Sequence, residues 1–174
     1  NSLSELELIE TMVNNNSIIL TYGAIRRHFE VYKTAKNILD SGQFGDLEQI
    51  EVAFGYSQLF WTHPHSVDLI LFFAGNRKLQ SVQAKLSGFD YIHENGKVIV
   101  ESDPYVDSAT LNFTEGVIGL ITKNQGMDLV LSCSRGKIVV KADGELITSQ
   151  TIQGNNPYLE DVVNVVTKSD RLQG

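Results

Sequence analysis

The 174-residue sequence has little cysteine, no excess of positive charge and no long apolar run. Its single cysteine, Cys133, excludes a disulfide framework within the chain and favours a reducing compartment, which we expect to be the cytoplasm. The net charge of −7 argues against a general affinity for nucleic acid or for anionic membranes, because both require a basic face. No apolar run approaches the ~18 residues of a membrane span. We therefore expect neither a nucleic-acid nor a membrane partner.

The first forty residues predict a helix, a strand and a second helix. Ser2 and Glu5 have the spacing of a capping box, and a one-sided apolar stripe follows them. The segment IILTYG then predicts a short buried strand that ends at Gly23. A second helix is expected from about Phe29 to Asp40, because apolar residues again recur at helical spacing. The opening helix and strand are typical of the last unit of an α/β domain.

The remainder of the chain predicts mostly antiparallel strands. LEQIEVAFGY alternates as a half-buried strand, and a helix is expected from Pro64 to Ala74, with Gly75 ending it. Seven further apolar segments are separated by the turn signals ENG, EG, NQG, SRG and ADG, which together predict an antiparallel meander. A last helix is expected from about Pro157. The predicted fold class is α+β, with a large, open, mainly antiparallel sheet and helices on one face.

The segment FWTHPHSVDLILFFAG contains the chemistry-bearing residues of the sequence. His65 stands at a helix start, where an imidazole can exchange a proton near neutral pH; equally, it can simply cap the helix. His63, His65 and Asp68 could ligate a metal and so support a hydrolase, although no fourth ligand is evident nearby. Asp68 follows His65 by one turn and could pair with it, or it could be a solvated carboxylate.

Aromatic and basic residues near this segment are candidates for substrate contacts. Tyr56 and Trp61 could form a stacking wall for a sugar ring, or Trp61 could belong to the core. Arg26 and Arg27 follow the first predicted strand, and one of them could bind an anionic group, although arginine pairs are usually solvated or salt-bridged. Cys133 alternates with apolar neighbours and is most simply a strand residue without chemistry.

Several motifs in the first half of the chain resemble the Gfo/Idh/MocA family, named for glucose–fructose oxidoreductase, inositol dehydrogenase and rhizopine catabolism. Family members have an arginine element ending in phenylalanine, then a helix that ends in Ser-Gly-x-x-Gly, then a helix with a His-x-x-Asp motif and a closing glycine. The corresponding segments here are Arg26–Phe29, Ser41–Gly45 and His65–Gly75. The order and spacing of these motifs are similar to the family pattern over nearly the whole chain.

The resemblance implies a domain division and a function. Residues 1–23 would be the C-terminal remnant of a Rossmann dinucleotide-binding domain, and residues 24–174 a substrate-binding and oligomerisation domain. The full-length protein would be an NAD(P)-dependent oxidoreductase that acts on a sugar, polyol, inositol or nucleotide sugar by hydride transfer. His65 would transfer the proton, Arg27, Tyr56, Trp61, His63 and Asp68 would bind substrate, and Arg26 would lie at the cofactor. The sheet would form a homodimer or homotetramer.

Two departures from the family pattern limit this expectation. The Gly-x-Gly-x-x-Gly fingerprint and the Glu-Lys-Pro lysine of the family would lie upstream of Asn1, so this chain alone should be inactive and should not bind NAD or NADP. Many members also carry aspartate four residues before the helix histidine, where this sequence has Trp61. The alternative interpretation is therefore a non-catalytic carbohydrate-binding or dimerisation module.

Overall fold

The computed structural model describes residues 3–20, 23–100, 102–151 and 161–168. Within these ranges, three α-helices precede or interrupt the strands: α1 (Leu3–Asn16), α2 (Glu30–Asp40) and α3 (His63–Ala74). A short 3-10 helix, Ile25–His28, leads into α2. The ten strands are β1 (Leu47–Ala53), β2 (Leu79–Ser87), β3 (Tyr91–Glu94), β4 (Lys97–Val100), β5 (Tyr105–Phe113), β6 (Ile118–Thr122), β7 (Asp128–Cys133), β8 (Gly136–Lys141), β9 (Glu145–Thr151) and β10 (Asp161–Lys168).

Eight strands of the described part of the chain form one open sheet, in the order β10-β9-β8-β7-β1-β6-β5-β2. All neighbours in this sheet are antiparallel except β1 and β6, which run parallel with Gln49 opposite Ile118. The remaining strands, β3 and β4, form a separate hairpin across the ENG turn. The predicted fold class is confirmed. The simple meander is wrong in two respects: β1 is inserted between β6 and β7, and β2 pairs directly with β5 because β3 and β4 leave the sheet.

Helices α2 and α3 cover one face of the sheet. α2 contacts β8 and β9, and α3 contacts β1 and β6. The predicted stripe of α2 is buried at Val31, Ala35 and Leu39, whose spacing places them on one side of the helix. Leu69 and Ile70 of α3 are fully buried in the same core. The two helices and the sheet therefore enclose one continuous apolar layer.

The two ends of the chain differ from the sequence prediction. Ile18–Leu20 adopt no regular structure and are exposed, with Ile19 at 92%, so the described part of IILTYG is not the buried strand that we predicted. A strand requires a neighbouring strand to pair with, and the described residues supply none to this segment. Pro157 lies outside the described residues. Asp161–Lys168 form β10 rather than a helix, since these valine-rich residues pair with β9.

Helix α1 exposes much of its apolar stripe. Leu6, Ile9 and Met12 are each more than 40% exposed, and Ser2 of the predicted capping box lies outside the described residues. An apolar stripe of this kind normally packs against another element. No helix in the described ranges is long and apolar enough to cross a membrane.

Candidate functional site

The loop before α3 is fixed by hydrogen bonds to the segment that precedes β5. The two carboxylate oxygens of Asp103 accept the backbone N–H groups of Phe60 and Trp61, at 2.8 and 3.1 Å. The Leu59 N–H donates to the Pro104 carbonyl at 2.7 Å. These bonds hold the chain just before the helix, so the first turn of α3 has a defined position. That first turn carries His65.

Helix α3 begins and ends as the sequence predicts. Pro64 occupies the first turn, where its missing N–H removes no intrahelical bond. Gly75 ends the helix with a φ of +65°, which a residue without Cβ adopts easily, and its N–H donates to the Leu71 carbonyl at 3.1 Å. The buried side of the helix packs on the sheet. The His65 backbone is therefore attached to a rigid element.

The imidazole of His65 is half-buried and is poised to accept a proton. Burial lowers its pKa, and the positive charge of Arg26 lowers it further, while the carboxylates of Asp68 and Asp143 act in the opposite direction. The ring is therefore neutral at pH 7. Its Nδ1 atom is buried and has no hydrogen-bond partner among the described residues. The buried Nε2 atom of His63 likewise has no partner among the described residues, so this feature is shared by two histidines of α3.

His65 lies where two clefts meet. One cleft of about 740 Å³ runs between the 3-10 helix and the β8–β9 hairpin, and another of about 520 Å³ runs toward Trp61. Both are lined by Arg26, His65 and Met127, so they form one continuous depression, which we call the His65 cleft. Trp61 stands at its rim with 81% of its surface exposed. The cleft therefore combines a titratable group with an open aromatic face.

Each arginine of the predicted pair has an acidic partner. Arg26 donates through Nε to both carboxylate oxygens of Asp143 at 3.2 Å, and its guanidinium lies 4.9 Å from the centre of the Phe54 ring. Arg27 is paired instead with the Asp68 carboxylate, with Nε 2.9 Å from Oδ2. The predicted pairing of Asp68 with His65 is thus replaced by a bond to Arg27. The pair is salt-bridged, as one of the two interpretations of the sequence expected.

Four of the five predicted substrate residues do not line the His65 cleft: Arg27, Tyr56, His63 and Asp68. His63 is fully buried, and its Nδ1 lies 3.1 Å from Ser66 Oγ. Tyr56 stacks on Tyr105, with ring centres 4.6 Å apart, and its hydroxyl is 2.9 Å from Ser87 Oγ at the edge of the sheet. Trp61 and Tyr56 therefore do not line a common cleft. Their roles in substrate binding stay predictions.

The described residues contain no group of three or more His, Cys, Asp or Glu side chains that could hold a metal ion. In the set His63, His65 and Asp68, the imidazole of His63 contacts Ser66 and the carboxylate of Asp68 binds Arg27. Cys133 is a buried residue of β7, as predicted, and burial followed by nearby carboxylates raises its pKa to about 11. A thiol of this kind is protonated and unreactive at neutral pH.

Sequence reasoning missed several residues of the cleft, among them its acidic residue, Asp143. The ADG triplet predicted a hairpin turn, and a turn does connect β8 and β9, but the same aspartate also reaches Arg26 and Tyr32. Asp143 is far from Arg26 in the sequence, so no local pattern could have paired them. The only local signal was an aspartate in a tight turn, which is common for purely structural reasons.

Comparison with solved structures supports the fold. The chain is similar to a super-repressor mutant of Gal80p from Saccharomyces cerevisiae, with 14% identity and a TM-score of 0.68 over 99% of this chain and 53% of that one. It is also similar to an oxidoreductase from Pseudomonas syringae, with 10% identity and a TM-score of 0.69 over 94% of this chain and 46% of that one. A third similar structure is an inositol dehydrogenase homologue from Azotobacter vinelandii, solved with NADH and myo-inositol. Its identity is 12% and its TM-score is 0.67, over 91% of this chain and 48% of that one.

No family model and no curated protein matches the sequence. The chain spans about half the length of the solved structures that it matches. It has the α+β fold of the C-terminal domain of Gfo/Idh/MocA-type oxidoreductases, and the predicted resemblance is confirmed at the level of the fold. The fold does not by itself establish catalysis, because one of the similar structures is named as a repressor.

Proposed function

We propose that this chain is the substrate domain of an NAD(P)-dependent oxidoreductase that acts on a sugar, polyol, inositol or nucleotide sugar. The observation that carries the proposal is that the half-buried imidazole of His65 lines a cleft with an exposed tryptophan at its rim. Among the similar structures, the inositol dehydrogenase homologue is named with myo-inositol and NADH. A hydroxyl-bearing ring is the ligand class that this combination of groups suits.

His65 would act as the base that accepts a hydroxyl proton. Its lowered pKa keeps the imidazole neutral at pH 7, so a ring nitrogen can receive the proton as the hydroxyl carbon is oxidised, and can return it in the reverse direction. Trp61 offers an apolar face on which the C–H side of a sugar ring can stack. His65 would therefore transfer the proton, and Trp61 would orient the sugar ring.

The residues of this chain fit one face of a nicotinamide ring but not a whole dinucleotide. Ile25 and Met127 line the cleft beside His65 and are 56% and 37% exposed, so they can cover a flat ring. When bound, the nicotinamide supplies a hydride acceptor or donor. The sequence has no Gly-x-Gly-x-x-Gly loop for the pyrophosphate. Binding of the dinucleotide would rest mainly on another domain, with Arg26 as a contact near the ring.

Residues 1–23 would belong to that other domain, and residues 24–174 to the substrate domain. Supporting this division are the exposed apolar residues of α1 and of Ile18–Leu20, which a neighbouring domain would cover. The division predicts that the native polypeptide is longer than this chain by roughly a Rossmann-sized domain of about 120 residues or more. An immunoblot of the source cells with an antibody against this chain measures that length. A band at 19.3 kDa would contradict the division.

The activity is tested on the complete protein that contains this chain. Polyols, inositols, sugars and nucleotide sugars are incubated with NAD or NADP while nicotinamide absorbance is followed. With an active substrate, His65→Ala should lower kcat by about 100-fold or more, the usual contribution of a general base. His93→Ala is the matched control, because His93 lies on the separate β3–β4 hairpin and should leave kcat unchanged.

A non-catalytic carbohydrate-binding or dimerisation module is the second candidate. The exposure of Trp61, in the position where many family members have aspartate, favours it. Trp61 is the only tryptophan, so its fluorescence reports ligand binding in the cleft directly. Saturable quenching by a sugar, with no turnover under any cofactor condition, would support the module and contradict the enzyme.

Assembly through the open face of the sheet completes the proposal. That face carries partly buried residues such as Leu120, Val130 and Val139, and no helix in the described ranges covers it. We expect a homodimer or homotetramer, which sedimentation of the purified protein would measure. A monomer at all concentrations would contradict this part.

A further inference from the structure

The β8–β9 hairpin presents one carboxylate to the His65 cleft in a fixed position. Ala142 and Asp143 both have positive φ, at 49° and 58°, as a tight hairpin turn requires. The Gly144 N–H donates to the Lys141 carbonyl at 3.0 Å, and the Ala142 N–H donates to Asp128 Oδ1 at 3.1 Å. The turn is therefore held both within the hairpin and from the neighbouring strand β7.

The carboxylate of Asp143 joins two helical elements to the sheet. It accepts hydrogen bonds from Arg26 Nε on the 3-10 helix and from the Tyr32 hydroxyl on α2. Tyr32 is fully buried, and burial together with the charge of Asp143 raises its pKa far above the usual range, so it remains a neutral donor. The side chains of Arg26 and Asp143 are only 16% and 22% exposed, which strengthens their ion pair compared with a surface pair.

Three charged groups act on the imidazole of His65 from three different elements. Arg26 reaches it from the 3-10 helix, Asp68 from α3 and Asp143 from the hairpin. Asp68 is already bound to Arg27, so its charge is balanced locally. Asp143 is bound to Arg26, the one cation among the described residues whose charge acts on His65. The net effect of these charges on the imidazole of His65 therefore depends on whether Arg26 remains bound to Asp143.

We propose that Asp143 is a positioning residue of the site, which holds the Arg26 guanidinium against the hairpin and balances its charge beside His65. Without that partner, Arg26 would present an uncompensated positive charge to the imidazole, and a protonated His65 would be harder to form. Asp143 would touch no substrate and would act through Arg26 and His65. This inference rests on the proposed function, but its electrostatic part can be measured without turnover.

The test is an NMR titration of His65 in the purified protein, with four variants. Asp143→Asn keeps the shape of the side chain and removes its charge, so the pKa of His65 should fall measurably below that of the parent protein. Asp143→Glu should recover part of that shift. Tyr32→Phe removes a donor but no charge, so His65 should titrate nearly as in the parent protein. Asp107→Asn is the control, because Asp107 is similarly buried at 16% exposure but faces Lys85 and Lys123.

The pattern across the variants separates an electrostatic role from a purely structural one. A structural role would make Tyr32→Phe and Asp143→Asn change the titration alike, and that result would overturn the proposal. An unchanged pKa in a folded Asp143→Asn protein would overturn it as well. If Asp143→Asn does not fold, the His65 titrations of Asp143→Glu and Tyr32→Phe are compared instead. The same change in both variants would overturn the proposal.

Kinetics of the complete protein then connect the proposal to function. In Asp143→Asn the acidic limb of the kcat/KM profile should move to lower pH together with the His65 titration, and kcat should fall while KM changes little. Absence of turnover in the parent protein would contradict the proposed function and leave the NMR result standing. Normal turnover with an unmoved pH profile would contradict the role of Asp143 alone.

Discussion

Glycine at position 119 allows α3 to lie close to the sheet. Gly119 is a buried residue of β6, paired with Ile50 on one side and Leu111 on the other. A Cβ built there would lie 2.5 Å from Cγ2 of Ile70, a fully buried residue of α3. Real Cβ atoms do not approach so closely, so either the side chain or the helix must move. His65 lies on that helix, and its position depends on this contact.

The size of the effect follows from the geometry. Overpacking of a core costs about 1–3 kcal/mol, and replacing glycine by alanine in a strand returns roughly 0.5–1 kcal/mol of backbone entropy. We therefore expect Gly119→Ala to destabilise the protein by about 1–2 kcal/mol, or about 2–8 °C in Tm for a chain of this size. Ile70→Ala alone should cost about 2–5 kcal/mol, because it opens a cavity.

The double variant is the decisive measurement. In Gly119→Ala/Ile70→Ala the new methyl group occupies part of the space left by Ile70, so the combined loss should be at least about 1 kcal/mol smaller than the sum of the single losses. Urea unfolding followed by circular dichroism measures all four free energies. Gly23→Ala is the control, because no heavy atom lies within 4 Å of a Cβ at that position. Additive losses would refute the contact between α3 and β6 as we describe it.

Three further predictions concern pH and an ion pair. The raised pKa of Cys133 means that the folded state favours the thiol, so stability should decline as pH rises from about 9 to about 11, and Cys133→Ala should remove that decline in urea melts. Burial lowers the pKa of His63, so the free energy of unfolding should decline as pH falls below 6.5. His63→Gln should make this decline with pH less steep without abolishing it, because the pKa of His65 is lowered as well. An unchanged pH dependence in His63→Gln would count against a neutral His63. Asp68→Ala should cost roughly 1–2 kcal/mol by leaving Arg27 without its partner, and the loss should shrink when Arg27 is also replaced by alanine; equal losses in both backgrounds would contradict the pair.

Elements with one clear periodicity were predictable from the sequence. The alternation in LEQIEVAFGY placed Ile50, Val52 and Phe54 on one face, and all three are buried. Pro64 and Gly75 marked the ends of α3 to within one residue, because a residue without an N–H suits the first turn and a residue without Cβ suits the end. These predictions rest on interactions within a few residues of each other, which a sequence displays directly.

The two segments whose secondary structure was predicted wrongly have sequences that are compatible with more than one structure. The valine-rich sequence at Asp161–Lys168 satisfies a helical stripe as well as a strand, and pairing with β9 made it a strand. IILTYG has the composition of a buried strand, but Ile18–Leu20 have no pairing partner among the described residues. In both places the outcome depended on hydrogen-bond partners that are not adjacent in the sequence.

The local sequence was sufficient to give the fold class, the helix that carries His65 and the strand that carries Cys133. The arrangement of the site required the folded chain. The insertion of β1 beside β6, the bond from Arg26 to Asp143 and the burial of His63 all join residues that are distant in the sequence or depend on packing from several elements. Such contacts are selected by the free energy of the whole core rather than by local propensity, so no local pattern records them.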